Sequence, residues 1–300
     1  MKRESDAFGG RAVCAPASVS VVPAAGAAPG AVAKGAASTA TAQGPAAAAL
    51  FAGAAFAAMF AGAAFAALVA TADAQAGDGG TEERGERVDT VLFWGAGTGA
   101  PGTDSAESGA NIGFVTALNG DIGRSGWTIT SSVGLGQTKA PLSRTKSFYS
   151  SLLVGHQWTQ PGYSFSLSAG LHHRNNRERP AGGPTDGGDT GFTVQYGFDT
   201  RAVDAFYLHS YGAYSTVADQ IYFHLKVGRR TQRLRFGGEF TLSGDAWSRP
   251  ALRYGVFVGD IALPGRIAMA VSAGYLRHLD PGKSGGFYAT AGFSMPLRLR

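Results

Sequence analysis

Tyr163-Ser-Phe-Ser-Leu-Ser-Ala-Gly-Leu-His172 alternates without a break. Tyr163, Phe165, Leu167, Ala169 and Leu171 share one face, and Ser164, Ser166, Ser168, Gly170 and His172 share the other. Period two with one apolar and one small or polar face is the signature of a β-strand. The same grammar recurs along the chain. Phe192, Val194, Tyr196 and Phe198 alternate with Thr193, Gln195, Gly197 and Asp199; Ile221, Phe223, Leu225 and Val227 alternate with Tyr222, His224, Lys226 and Gly228. Twelve such segments are predicted, at about 90–98, 109–118, 126–136, 147–158, 163–173, 189–199, 205–215, 219–229, 234–243, 251–261, 266–276 and 285–295. Every proline after residue 100 except Pro296 falls between them, as a sheet ladder demands.

The composition of the faces separates a membrane barrel from a soluble sandwich. A soluble sheet shows charge to water, whereas here the non-apolar face is Ser, Thr, Gly and His. Small polar residues suit a crowded lumen, and Phe, Leu, Val and Ile suit lipid. Trp127, Trp158, Tyr163, Tyr214, Tyr275 and Phe287 lie near segment ends, where interfacial girdles belong. The expected fold is an all-β transmembrane antiparallel barrel of about twelve strands. The connections are expected to alternate, long at the outer end and short at the inner.

The 300 residues include 45 Gly, only 16% charged side chains and one Cys, with a net charge of +5. That balance excludes a coiled coil, a disulfide scaffold and a charged disordered tail, and it gives no basis for nucleic acid as a partner. No second long apolar run follows residue 76, so a multi-span helical protein is excluded as well. Residues 1–76 read as a signal or low-complexity export segment. Lys2, Arg3, Arg11 and Lys34 precede a charge-free run from Gly35 to Ala72, and Ala-x-Ala sites follow at Ala74 and Ala76. An uncleaved anchor is the alternative. Cys14 would leave with the signal. Residues 77–88 read as a disordered leader, and 89–300 as the outer-membrane barrel.

Turn positions suggest registers. A short turn at Thr216 and Val217 would set Tyr211 opposite Tyr222, His209 opposite His224 and Tyr207 opposite Lys226. Extending the pairing sets His224 opposite Glu239 and Gln195 opposite His209. The candidate lumen track is therefore Gln195, His209, His224 and Glu239, flanked by Tyr207, Tyr211, Tyr222, Lys226 and Arg235. Such a row could be a hydrogen-bonded plug, a polar and aromatic track for carbohydrate, or a metal site. Four ligands in a closed geometry are not evident, so neither metal nor cofactor is expected. His156 with Ser150 on the apolar register is a weak candidate for lipid hydrolysis and a better one for an interfacial residue beside Trp158. No catalytic residue is assigned. His172-His-Arg-Asn-Asn-Arg-Glu-Arg179 reads as the start of a solvated outer loop, or as a contact for lipopolysaccharide phosphate or an anionic polymer. Gly95-Ala-Gly-Thr-Gly-Ala100 lacks a following helix and is no nucleotide loop.

Five stretches in order resemble the BcsS family of outer-membrane proteins associated with bacterial cellulose synthesis. They are Ala117-Leu-Asn-Gly-Asp-Ile-Gly-Arg-Ser-Gly-Trp127, Asp189-Thr-Gly-Phe192, Tyr211-Gly-Ala-Tyr-Ser-Thr-Val-Ala-Asp219, Gly237-Gly-Glu-Phe-Thr-Leu-Ser-Gly-Asp245 and Ser284-Gly-Gly-Phe-Tyr-Ala-Thr-Ala-Gly-Phe-Ser294. The resemblance spans roughly 90–297 and implies a non-enzymatic accessory role in cellulose production or export at the bacterial outer membrane. The implied partners are outer-membrane lipid, cellulose or another β-glucan, and components of cellulose secretion. A small general porin or structural barrel is the alternative, and a lipid-processing barrel enzyme the third. The resemblance carries no catalytic residues.

Overall fold

The computed structural model of the chain describes residues 87–101, 105–183, 185–279 and 285–299. The expected export segment and leader residues 77–86 lie outside them. Twelve antiparallel strands form one closed barrel in which β1 pairs with both β2 and β12. They are β1 (Thr90–Ala100), β2 (Ala106–Ala117), β3 (Gly126–Ala140), β4 (Ser143–Thr159), β5 (Tyr163–Arg179) and β6 (Gly187–Thr200). The second half comprises β7 (Ala205–Ser215), β8 (Gln220–Arg230), β9 (Arg235–Asp245), β10 (Ser248–Leu263), β11 (Ile267–His278) and β12 (Gly286–Leu297). Closure leaves no edge strand, so the backbone groups that face lipid are paired within the sheet.

Each predicted segment is a strand, but several run further than expected. β4 and β5 are 17 residues long, because the polar stretches expected to form outer loops continue the ladder. The expected alternation of connection lengths is consequently absent. Residues 141–142 alone join β3 to β4 at the loop end, whereas 118–125 form a long connection at the end carrying the termini. Asn119 and Asp121 build that connection as successive Asx turns, accepting from the Asp121 and Gly123 N–H groups at 3.2 and 2.8 Å. Pro250 also departs from expectation, since it lies inside β10. It sits at the register shift between Ser248 and Ala251, where a bulge spares the ladder a missing donor.

The outward face is the apolar one. Leu135, Leu152, Val154, Leu171, Phe192 and Phe287 are all exposed. At the terminal end Trp127 and Trp158 flank His156, with ring centroids 5.4 and 4.5 Å away, so His156 belongs to an aromatic girdle. At the loop end Tyr254, Tyr275 and Phe287 form a second group, at 5.8 and 6.0 Å. Along β4 the outward side chains run from Trp158 to Phe148. The ten steps between them, at about 3.3 Å each and a tilt of about 40°, span about 25 Å, the height of an apolar belt.

The interior holds the buried groups. At the terminal end Val91, Val115, Ala117 and Ile122 form an apolar layer. Ile122 reaches it because the 118–125 connection folds under the barrel: its N–H donates to the Val88 carbonyl, and Gln157 Nε2 donates to its own carbonyl, both at 2.8 Å. Asp89 accepts from the Leu299 N–H at 3.0 Å, tying the two ends of the barrel together.

Candidate functional site: an ion-paired lumen beneath a tyrosine vestibule

All nine track residues face the lumen, but the pairing differs from that expected. Tyr211 lies opposite His224, His209 opposite Lys226 and Tyr207 opposite Gly228. Glu239 faces Lys226 rather than His224, and Gln195 faces Ala213 rather than His209. Between β7 and β8 the turn explains the difference. Thr216–Asp219 forms a wider connection, with Val217–Asp219 as a single 3-10 turn and Ala218 at φ 57°. Every shift is by an even number of residues, so no side chain changes face. The continuous row Gln195–His209–His224–Glu239 does not form, while its members remain lumen residues.

In place of a row stand two ionic knots. Asp199 is the centre of the first, with His209 Nδ1 at 3.2 Å, Arg230 at 3.6 Å and Arg235 at 3.7 Å. Arg235 also bonds Asp260 at 2.5 Å and donates to the Tyr207 hydroxyl at 2.8 Å. The Tyr207 ring lies 5.3 and 5.1 Å from the guanidinium carbons of Arg230 and Arg235, which makes it an apolar wall and a cation–π partner together. Glu239 centres the second knot. It accepts from Ser272 at 2.8 Å and Tyr288 at 2.7 Å, and pairs with Lys226 at 3.7 Å and His224 at 3.6 Å. Arg253 lies over the Tyr288 ring and bonds Glu107 at 2.5 Å. These groups are buried, and a buried charge is tolerated only when paired.

Asp199, Arg230, Glu107, Arg253 and Tyr288 carry the knots without having been singled out from sequence. The inward parity of Asp199, Arg253 and Tyr288 is visible in the alternation, whereas Glu107 and Arg230 lie just beyond the expected segments; the partners of all five come from other strands of the chain. Asp260 is a different case. Parity alone would turn it outward; a bulge between Val258 and Ile261 gives it φ 58° and re-aims it at Arg235.

Above the knots, Tyr211 and Tyr222 lie 5.7 Å apart at the floor of a cavity of about 90 Å³. Tyr149, His172, Arg174 and Gln195 also line this vestibule. The Tyr149 hydroxyl and Ser147 Oγ are buried there with no hydrogen-bond partner among the described residues. Around the knots lie two cavities of about 40 Å³, and on the terminal side of Asp199 and His209 another of about 90 Å³. The 40 Å³ spaces hold a few waters at most.

His209 and His224 stand edge to face at 6.1 Å, and among the described residues no three His, Cys, Asp or Glu side chains are placed to share a metal ion. His172 and Arg174 lie within β5 and point inward, in place of the expected solvated loop; His172 bonds Ser215 at 2.7 Å and Arg174 pairs with Asp245 at 3.5 Å. Gly95–Ala100 is part of β1.

Because the knots fill the midsection, the reconstituted barrel is expected to pass no steady ionic current in a planar bilayer. A stable ohmic step on each insertion would show an open pore and overturn this reading of the lumen.

These features define a class: a transmembrane β-barrel whose interior is crossed by buried ion pairs. The chain belongs to the family described as cellulose biosynthesis protein BcsS, whose model matches residues 101–297. It is thus a cellulose-related barrel. No curated protein sequence matches it. Among solved structures it is similar to the translocator domain of the autotransporter NalP from Neisseria meningitidis, at 12% identity over 82% of this chain and 98% of that one, TM-score 0.40. It is also similar to the beta domain of the Bordetella autotransporter BrkA, at 11% identity over 70% and 99%, TM-score 0.43. A third similar structure is a deletion mutant of the monoaromatic hydrocarbon channel TodX, at 8% identity over 71% and 92%, TM-score 0.47.

Proposed function

We propose that this protein is a non-enzymatic outer-membrane barrel that assists cellulose biosynthesis and secretion by docking the glucan at its vestibule. The observation that carries the reading is the contrast along the axis. The midsection is knotted shut, whereas the loop end offers paired tyrosine rings beside unpartnered hydroxyls. A sugar presents a CH face that stacks on such rings and hydroxyls that satisfy Tyr149 and Ser147. The lumen carboxylates are each tied to cations, which suits a structural interior better than a reacting one. The termini then face the periplasm, and the vestibule faces the cell exterior.

The test compares cellulose output, at equal levels of barrel protein, in a deletion strain complemented with wild type or with Tyr211→Ala plus Tyr222→Ala. Tyr207 is left intact because it supports the Asp199 knot. The double variant is expected to lower output several-fold, with unchanged lipid profiles in the deletion strain. Wild-type output from the double variant would sink the docking role, and altered lipid chains on deletion would favour an enzyme.

A further inference from the structure

We infer that the outward face of β3–β5, just beyond the apolar belt at the loop end, binds phosphorylated lipid head groups. Two rows of side chains cross this face. Lys139 lies opposite Arg144, and Arg144 opposite Arg179; in the next row Gln137 lies opposite Lys146, and Lys146 opposite Arg177. All five cations are exposed, and none makes an ion pair with a carboxylate among the described residues. Arg144 donates to Gln137, which is neutral.

The nearby acids are turned elsewhere. Glu178 has inward parity and accepts from Thr185 Oγ1. Asp186 accepts from the backbone N–H groups of Glu178 and Gly182 at 3.0 and 3.1 Å, which hold its carboxyl below the usual range. Asp189 lies opposite the inward-facing Arg174. Like charges directly opposed across strands destabilise a sheet unless a counter-charge sits between them. Two adjacent rows of this kind, on a ladder otherwise kept regular, are explained by an anion that the described residues do not supply.

Depth selects the anion. The row beneath pairs Leu135 with Phe148, both exposed, at the upper edge of the belt. Lys146 and Arg144 stand two and four residues beyond Phe148, about 5 and 10 Å higher at about 3.3 Å per residue and a tilt of about 40°. The nearer row is at head-group level and the farther row stands just above it, within reach of long Lys and Arg side chains, since the polar layers add roughly 5–8 Å to each side of the hydrocarbon. Phosphates fixed to lipid sit at this height, and clustered Lys and Arg side chains at a bilayer surface attract them. The inference rests on the proposed insertion only for where the lipid lies.

The test titrates bisphosphorylated lipid A into the detergent-solubilised full chain, beside dephosphorylated lipid A and inorganic phosphate. Wild type is expected to bind lipid A at least tenfold more tightly than either, with binding that weakens as salt rises. Replacing Lys139, Arg144, Lys146, Arg177 and Arg179 by Gln is expected to remove that preference. Arg124→Gln, Arg229→Gln and Arg233→Gln, which take exposed cations from the terminal end, are expected to keep it. Equal binding of the dephosphorylated lipid, salt-insensitive binding, or equal loss in the terminal-end variant would each overturn the inference. Should the five-fold variant fail to fold, the wild-type salt and dephosphorylation arms still decide. Outer-membrane localisation is read separately, from the density at which the wild-type protein bands among cell membranes, so failure of one reading does not pass for failure of the other.

Discussion

Asp199→Ala is expected to cost the barrel about 3–5 kcal/mol of stability, the price of breaking a buried ion pair from one side. Asp199 faces His209, Arg230 and Arg235. Its removal leaves Arg230, itself 3% exposed, with Asp260 at 3.8 Å as its remaining carboxylate. Asp199→Asn keeps the shape and loses the charge, so it is expected to lie close to the alanine variant. Arg124→Ala breaks a pair in which the arginine side chain is 69% exposed, and surface pairs contribute at most about 1 kcal/mol. Denaturant unfolding in micelles, with heat-modifiable mobility on gels as a second readout, compares the three. Equal midpoints for Asp199→Ala and Arg124→Ala would mean that the knot does not hold the lumen together.

Gly228→Val is expected to be as damaging for a different reason. Gly228 and Gly237 face each other across β8 and β9. A Cβ at Gly228 would lie 2.0 Å from the Phe236 carbonyl oxygen, and one at Gly237 would lie 2.1 Å from that of Val227. Both obstacles are backbone atoms of the ladder, so relief requires opening the sheet rather than turning a side chain. The cost should exceed the roughly 1–3 kcal/mol of ordinary overpacking, and assembly into the membrane should fall with it. Gly238→Ala is the control, because the nearest atom to its Cβ would be the Gly255 oxygen at 3.9 Å. A barrel that folds equally well with valine at 228 would show that this close approach is not required.

The two variants also mark how far the chain could be read before its structure. The outward and inward sets of β5 to β9 were legible in the alternation, because side-chain direction in a strand is a local property of the backbone. For the same reason all nine track residues reached the lumen although their registers were displaced. The registers themselves were not legible. They depend on the shape of the Thr216–Asp219 connection and on closure of β12 against β1, and neither leaves a local mark. The outer connections were misread because Lys139, Arg144, Lys146 and Arg177 look like loop residues when counted by polarity alone.

Sequence by itself determined that this chain builds a β-barrel with lipid-facing aliphatic and aromatic residues and a polar interior, since period two and face composition are carried residue by residue. Only the tertiary structure decided how the interior is tied across by ion pairs. Glu107 meets Arg253, and Asp199 meets Arg235, across strands that closure brings together. Asp260 enters the lumen through a bulge that reverses its parity, and Ile122 seals the terminal end through a turn folded beneath the strands. Long-range pairing of buried charge depends on where distant segments meet in three dimensions, and a one-dimensional pattern does not contain that distance.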